Sequence, residues 1–348
     1  MNRQNFNTLP RSAADTRSNV DNSNEKAPRH YRQAIRIAFL FTVLCATCVY
    51  LGSVATAAGF EDGRKAYQRG DYKRALLLFD QAAWAGDTNA QWLLGQMYLK
   101  GRGTRRDPAN AASWFYQAAT KGHAGAQADL AQLYYRGIGL KKDWEQAALW
   151  YQQSADQGDV RARTALAALY ELGHGVNQSD SQAKKLYEQS AVQGDAEAMF
   201  KLGVFAQFGR ASNKNINQAL GFYRQAADRH HANAHERIGW LQENGLAGFE
   251  QDWAAAARSY EKSANLGSAW GQYRLGKLYE QGRGVPQNSA RALQWISLAA
   301  NRPKNNDAPQ GAQHLYKRLY AQRPDDEKQI VGQYVSQWRA ERGPASRE

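Results

Sequence analysis

The stretch AGAQADLAQLYYRGIGLKKDWEQAALWYQQSADQGD, residues 124–159, reads as two helical segments joined by a glycine turn. The first carries Ala126, Leu130, Ala131, Leu133 and Tyr134, an apolar stripe that includes the i, i+4, i+7 and i+8 positions of a helix. The turn is Gly137-Ile138-Gly139. The second segment follows Asp143, whose side-chain oxygen suits the orphan N–H groups of a first helical turn. Its core face is Ala147, Trp150, Tyr151, Ser154 and Ala155.

The same pattern recurs on both sides. Gly86, Gly122, Gly158 and Gly194 stand 36 residues apart, His230 takes the next slot, and Gly267 follows 37 further on. A second column is Gly101, Gly137, Gly173, Gly209, Gly245 and Gly282, and a third is Ala111, Ala147, Ala183, Ala219, Ala256 and Ala292. The one extra residue falls between Gly245 and Asp252. Small residues at 95, 131, 167, 203, 239 and 276 let the paired helix come close. Asp107, Asp143, Ser179, Asn215, Asp252 and Asn288 form a column of caps for the second helix. A lone helical hairpin cannot bury both of its faces, so the units must stack.

The repeats set boundaries for the rest of the chain. Residues 1–33 are polar and hold too little apolar surface to fold. Residues 34–58 read as a membrane segment: from Ile37 to Ala58 there is no charged side chain. As a helix those residues span roughly 33 Å, enough for a hydrocarbon core of about 30 Å. Arg29, Arg32 and Arg36 precede the run, which keeps the N-terminus in the cytoplasm and sends the rest across. The expectation is a signal anchor in the inner membrane with the repeats in the periplasm. The alternative is a signal peptide cleaved after Ala57, at Ala55-Thr56-Ala57, leaving a periplasmic or secreted protein. Residues 59–87 read as a partial unit. Six units follow at 88–123, 124–159, 160–195, 196–231, 232–268 and 269–302. Residues 303–348 read as a linker and a capping helix from about Asp325 to Arg339, with Ile330, Val331, Tyr334, Val335 and Trp338 on one face.

Little in the chain points to catalysis or to a cofactor. The two cysteines, Cys45 and Cys48, both lie in the apolar segment, which excludes a structural disulfide or thiolate metal site in the repeats. The Gly-x-Gly turns follow no predicted strand and lack a third glycine, so they are not dinucleotide loops. His231 and His235 are four apart, a spacing that suits two metal ligands on one helix face, but no third ligand is evident. The formal charge is +13, of which the region after residue 36 holds +9, a balance that attracts anionic partners.

Residues 124–159 and 269–300 resemble the Sel-one-like repeat (SLR), whose pattern is roughly A-x-A-x-x-x-L-G-x-x-Y-x-x-G-x-G-x-x-x-D-x-x-x-A-x-x-W-Y-x-x-A-A-x-x-G, and the resemblance covers about 88–302. The units at 196–231 and 232–268 depart from it: Gln207-Phe208-Gly209-Arg210-Ala211 lacks the second glycine, and Ser259 replaces the tryptophan. Those two units are expected to bend or bind differently. The resemblance implies an all-α, right-handed superhelical solenoid of antiparallel helix pairs of the tetratricopeptide type. It also implies that the first helix of each pair lines a concave groove, and that the protein binds other proteins as a scaffold in the cell envelope. Some cysteine-rich relatives are linked to β-lactam binding and hydrolysis, and those rely on a disulfide in each repeat that this chain lacks.

Along that groove Lys201, Arg237 and Arg274 share one column, with Trp240 and Lys277 one turn further along. Aligned like charges repel, so the stripe is a candidate site for an acidic partner. The expected function is a non-enzymatic adaptor binding other envelope proteins, with no cofactor and no nucleic acid. The alternative is binding of peptidoglycan or an anionic exopolysaccharide through this basic and aromatic stripe. The topology is testable: alkaline phosphatase fused after Glu348 is expected to be active in a bacterial host, and phosphatase fused before residue 30 inactive. The opposite pattern would reverse the orientation.

Overall fold

The computed structural model describes residues 59–300 and 309–341. The leader, the apolar segment 37–58, both cysteines, residues 301–308 and residues 342–348 lie outside those residues. No described helix is long and apolar enough to cross a membrane.

The described chain is helical and contains no strand. Helix α1 (59–68) pairs with α2 (Tyr72–Trp84). Six further pairs follow: α3 (Thr88–Lys100) with α4 (Pro108–Thr120), α5 (Ala124–Arg136) with α6 (Trp144–Asp156), α7 (Val160–Leu172) with α8 (Asp180–Val192), α9 (Ala196–Phe208) with α10 (Ile216–Ala227), α11 (Ala232–Glu243) with α12 (Trp253–Asn265), and α13 (Ala269–Gln281) with α14 (Ser289–Ala300). We call the first helix of each pair helix A and the second helix B. Each helix packs against its neighbours in sequence, within and between pairs, so the pairs stack into a solenoid.

The core has the periodicity expected from the sequence. In α5, Ala126, Leu130, Ala131 and Leu133 are buried; in α6, Ala147, Trp150, Tyr151, Ser154 and Ala155 are. The small residue in helix A faces the large ring in helix B. A Cβ on Gly203 would stand 2.5 Å from the Tyr223 ring, so only hydrogen fits there. The expected helix-B caps bond their first turns: Asp143 Oδ1 accepts from Gln146 N at 2.9 Å, and Asn215 Oδ1 from Gln218 N at 2.9 Å. Helix A has its own cap column, which the sequence reading did not single out: Asp87, His123, Asp159, Asp195, His231 and Ser268.

The joints between units are made at the turn. A Cβ on Gly175 would meet the carbonyl of Trp144 in the previous unit at 2.1 Å, so the second glycine marks a close approach of two backbones. The residue between the two glycines packs on the first residue of the preceding helix B, and the chemistry is matched. Arg102 lies over the Tyr72 ring at 5.4 Å, and His174 stacks on Trp144 at 3.8 Å. Arg210 Nε donates to Asp180 Oδ2 at 3.0 Å, and Arg283 lies over Trp253 at 4.9 Å. Leu246 and Ile216 share one apolar cluster.

The two divergent units keep the turn. Ala211 and Ala247 replace the second glycine yet hold left-handed backbones, with φ of 54° and 57°, and His230 does so in its column with φ of 60°. Each costs about 1–2 kcal/mol relative to glycine, so stacking overrides the local preference rather than letting the chain bend away. Ser259, in place of the tryptophan, donates to Gln242 Oε1 at 2.7 Å.

The C-terminal end corrects the sequence reading in two respects. A helix not anticipated there, α15 (Ala312–Ala321), precedes the expected one, α16 (Asp325–Glu341). Leu315, Leu319, Val331, Val335 and Trp338 join the core of the last pair, while Ile330 is exposed. Ile330 lies next to Val331 and therefore about 100° around the helix from it, off the packed face.

Trp150 is buried and meets Tyr116 edge to face at 6.2 Å. Trp150→Ala is expected to cost about 3–5 kcal/mol of stability, read as a lower melting temperature. Unchanged melting would show that Trp150 does not support the stack.

Candidate partner-binding face

Four positions of helix A point away from helix B. In α9 they are Glu197, Lys201, Val204 and Phe208, spaced i, i+4, i+7 and i+11 along one face. Their equivalents in α7 are Arg161, Ala165, Ala168 and Leu172, and in α11 and its C-terminal cap they are Asn233, Arg237, Trp240 and Asn244. The five predicted residues, Lys201, Arg237, Trp240, Arg274 and Lys277, all belong to this face and are half-buried.

The structure corrects the premise that the three aligned cations are unrelieved, because carboxylates of the framework neutralise them. Lys201 Nζ stands 3.3 Å from Glu171 Oε2 of the previous unit. Arg274 bridges Glu236 and, at 3.6 Å, Glu243, both in the previous unit. Arg237 Nε lies 3.5 Å from Glu236, its neighbour in sequence. The pairs of Lys201 and Arg274 form a ladder that links α7 to α9 and α11 to α13, whereas that of Arg237 lies within α11. Lys277 differs: it lies over the Tyr273 ring at 5.8 Å and ion-pairs with no carboxylate among the described residues.

Glu171, Gln207 and Glu243, at one position of successive helices A, are themselves held by helix B. Tyr187 Oη donates to Glu171 Oε2 at 2.8 Å, Tyr223 Oη to Gln207 Oε1 at 2.5 Å, and Tyr260 Oη to Glu243. Glu171 also receives Arg210 Nη1 at 2.7 Å. Burial pushes the Glu171 carboxyl up, but Lys201, the Tyr187 hydroxyl and Arg210 outweigh it, and the net shift is downward. Asp129, in the N-terminal half of the same column, behaves oppositely. It accepts from Trp92 Nε1 at 2.6 Å and from Gln96 Nε2 at 2.5 Å, yet burial dominates and raises its carboxyl.

The histidine pair is not brought into a metal site. His231 caps α11, accepting from Ala234 N at Nδ1 (3.2 Å), and its Nε2 meets Glu197 Oε2 at 2.9 Å. Both ring nitrogens are engaged. Among the described residues no group of three or more His, Cys, Asp or Glu is placed to hold a metal ion.

The sequence reading missed an apolar island on this face. Leu172 is 52% exposed and Phe208 60%, at equivalent positions of adjacent units. Ala168, Val204 and Trp240 lie one turn earlier on α7, α9 and α11. The other units place Lys100, Arg136, Asn244 and Gln281 where Leu172 and Phe208 stand. Reading down that column, rather than along each helix, would have found the pair.

The Sel1 repeat family model matches residues 52–87, 88–123, 124–159, 160–195, 196–231, 232–268 and 271–303. The first match covers the stretch read as a partial unit and reaches into the apolar segment. Among solved structures, the fold is similar to a Sel1 repeat protein from Oxalobacter formigenes, with a TM-score of 0.64, 28% identity, 69% of this chain covered and 98% of that one. It is also similar to c5321, a protective antigen of uropathogenic Escherichia coli strains with an SLR fold, with a TM-score of 0.54, 24% identity, 84% of this chain covered and 78% of that one. No curated protein sequence matches the chain.

Two substitutions separate the two carboxylates. A depressed folded pKa adds stability above the unfolded value, and that stability is lost as pH falls through the folded one. Glu171→Gln is therefore expected to cost about 3 kcal/mol at pH 7, with the deficit shrinking as pH falls below the ordinary glutamate range. A raised folded pKa means that the ionised form opposes folding at neutral pH, so Asp129→Asn should hold or raise the melting temperature at pH 7. Melting curves across pH check both. A Glu171→Gln variant as stable as the parent at pH 7 would remove the ladder from the account.

Proposed function

The chain belongs to the Sel1 repeat family, and we propose that it works as a non-enzymatic scaffold at the bacterial cell envelope, binding another protein along the helix-A face. The segment 37–58 tethers it to the inner membrane, with the repeats on the periplasmic side. The observation that carries this reading is the contrast between framework and face. Core positions repeat the same small and apolar residues from unit to unit, whereas the face runs through Asp129, Ala165, Lys201, Arg237 and Arg274 in one column, and through Gln132, Ala168, Val204, Trp240 and Lys277 in the next. A surface that only had to stay in solution would need no such sorting into polar, apolar and cationic zones. The long, rigid surface of a solenoid suits binding of an extended partner.

Glycan binding through the same stripe would draw on free cations. Lys201 and Arg274 are already paired with carboxylates, which favours a protein partner over an anionic polysaccharide. The ladder also changes which residues serve as probes. Charge reversal at Arg274 would take from Glu236, only 3% exposed, the closer of its two guanidinium partners and set a second carboxylate beside it, so lost binding there would be confounded with lost folding. Trp240 and Lys277 carry no such role.

The test is a photo-crosslinking side chain placed at Trp240 or Lys277 in intact cells, with Leu149 on the outer face of α6 as the control. A protein adduct insensitive to muramidase is expected from 240 and 277 but not from 149. Adducts from 149 alone, or adducts that muramidase dissolves, would overturn the reading.

A further inference from the structure

The apolar island sits within a charged rim, and the rim has a sign. Beside it on α5, Arg136 ion-pairs with no carboxylate among the described residues, and at the far end Lys277 does not either. Between them lie Arg161, Lys201, Arg237 and Arg274, each already beside a framework carboxylate, so the unpaired charges of the rim are Arg136 and Lys277. The acids of the same face are engaged: Asp129 with Trp92 and Gln96, Glu197 with His231. Exposed large apolar side chains ringed by polar ones mark an interaction surface.

Resting on the reading of the helix-A face as the binding face, we infer that Leu172 and Phe208, with Val204 and Trp240 behind them, seat an acidic amphipathic helix of a partner protein. Charge argues against a segment of this chain as the occupant. Residues 1–36 hold seven Arg/Lys against three Asp/Glu, and residues 301–308 and 342–348 are each net positive, the same sign as the rim. Spacing argues for a helix. Helices packed side by side have axes about 10 Å apart, and α7 and α9 meet through Glu171 and Lys201. Residues i and i+7 of an α-helix are separated by a similar rise, about 10.5 Å. A helix crossing α7 and α9 therefore sets two anchors of one apolar stripe over Leu172 and Phe208. Acidic residues at its two ends then reach Arg136 on one side and Arg237 or Lys277 on the other, forming charge-assisted bonds with cations that keep some water in the free protein.

The test uses the full chain in nanodiscs and a fluorescent synthetic peptide about five turns long, with leucines along one face and glutamates at both ends. Anisotropy is expected to show saturable binding. Leu172→Asp and Phe208→Asp should each weaken it about tenfold or more, and Leu149→Asp on the outer face should not. Both target side chains are exposed, so the variants should melt like the parent, which circular dichroism checks. Equal binding of a scrambled peptide, or of one with lysines for the glutamates, would overturn the inference. Equal binding of polyglutamate would reduce the seat to an anion-attracting face. A parent that sediments as a dimer and becomes monomeric in Leu172→Asp would give the seat to a second copy instead. Crosslinks from Lys277 to a protein, together with no peptide binding, would sink this inference while leaving the scaffold reading intact.

Discussion

Each unit depends on how near helix A comes to helix B. The distance is set where a missing or minimal side chain on A meets a ring on B: Gly95 against Phe115, Gly203 against Tyr223, Gly239 against Tyr260. With the ring lying on bare backbone, the phenol oxygen is carried to the far end of helix A. There Tyr187, Tyr223 and Tyr260 find Glu171, Gln207 and Glu243. Glu171 and Glu243 in turn fix Lys201, Arg210 and Arg274. The polar ladder across the stack is thus a consequence of a steric fact in the core. Where the ring is Phe115 and no hydroxyl is present, the matching residue is Leu99, and the ladder is absent from that pair.

The stack was legible in the sequence because period, cap chemistry and turn chemistry all agreed. Three columns of glycine and alanine at one spacing leave few alternatives, and the caps at Asp107, Asp143 and Asn215 mark where each helix B begins. The face was legible only in part. Its residues were found, but their electrostatics were misjudged, because Glu171, Glu236 and Glu243 sit in other columns and only the stacking of units brings them beside Lys201 and Arg274. Pairing across 30 or 38 residues cannot be seen by reading one column. Helix α15 was missed for a different reason. It lies beyond the last repeat, where the period no longer guides the eye, and its packed residues Leu315 and Leu319 form too short a pattern to stand out.

Framework and face answer to different physics. The framework tolerates strain to keep its geometry, as Ala211, His230 and Ala247 show by staying left-handed without the freedom of glycine. The face is built on helices whose relative positions the ladder holds, so a partner meets side chains already in place and little ordering entropy is lost on binding. Rigid presentation of a varied surface is what a repeat array offers that a single compact domain does not.

The joints carry a consequence for how such an array changes length. Tandem repeats are prone to gain or lose whole copies, and a period as regular as this one would by itself let units be removed cleanly. The matched contacts at each turn prevent that. Loss of residues 196–231 would bring Leu246 down onto Asp180, placing an apolar side chain on a carboxylate that now holds Arg210. The copies have become individuals, each shaped to its predecessor, and the number of units in the chain is locked by the order in which they fit.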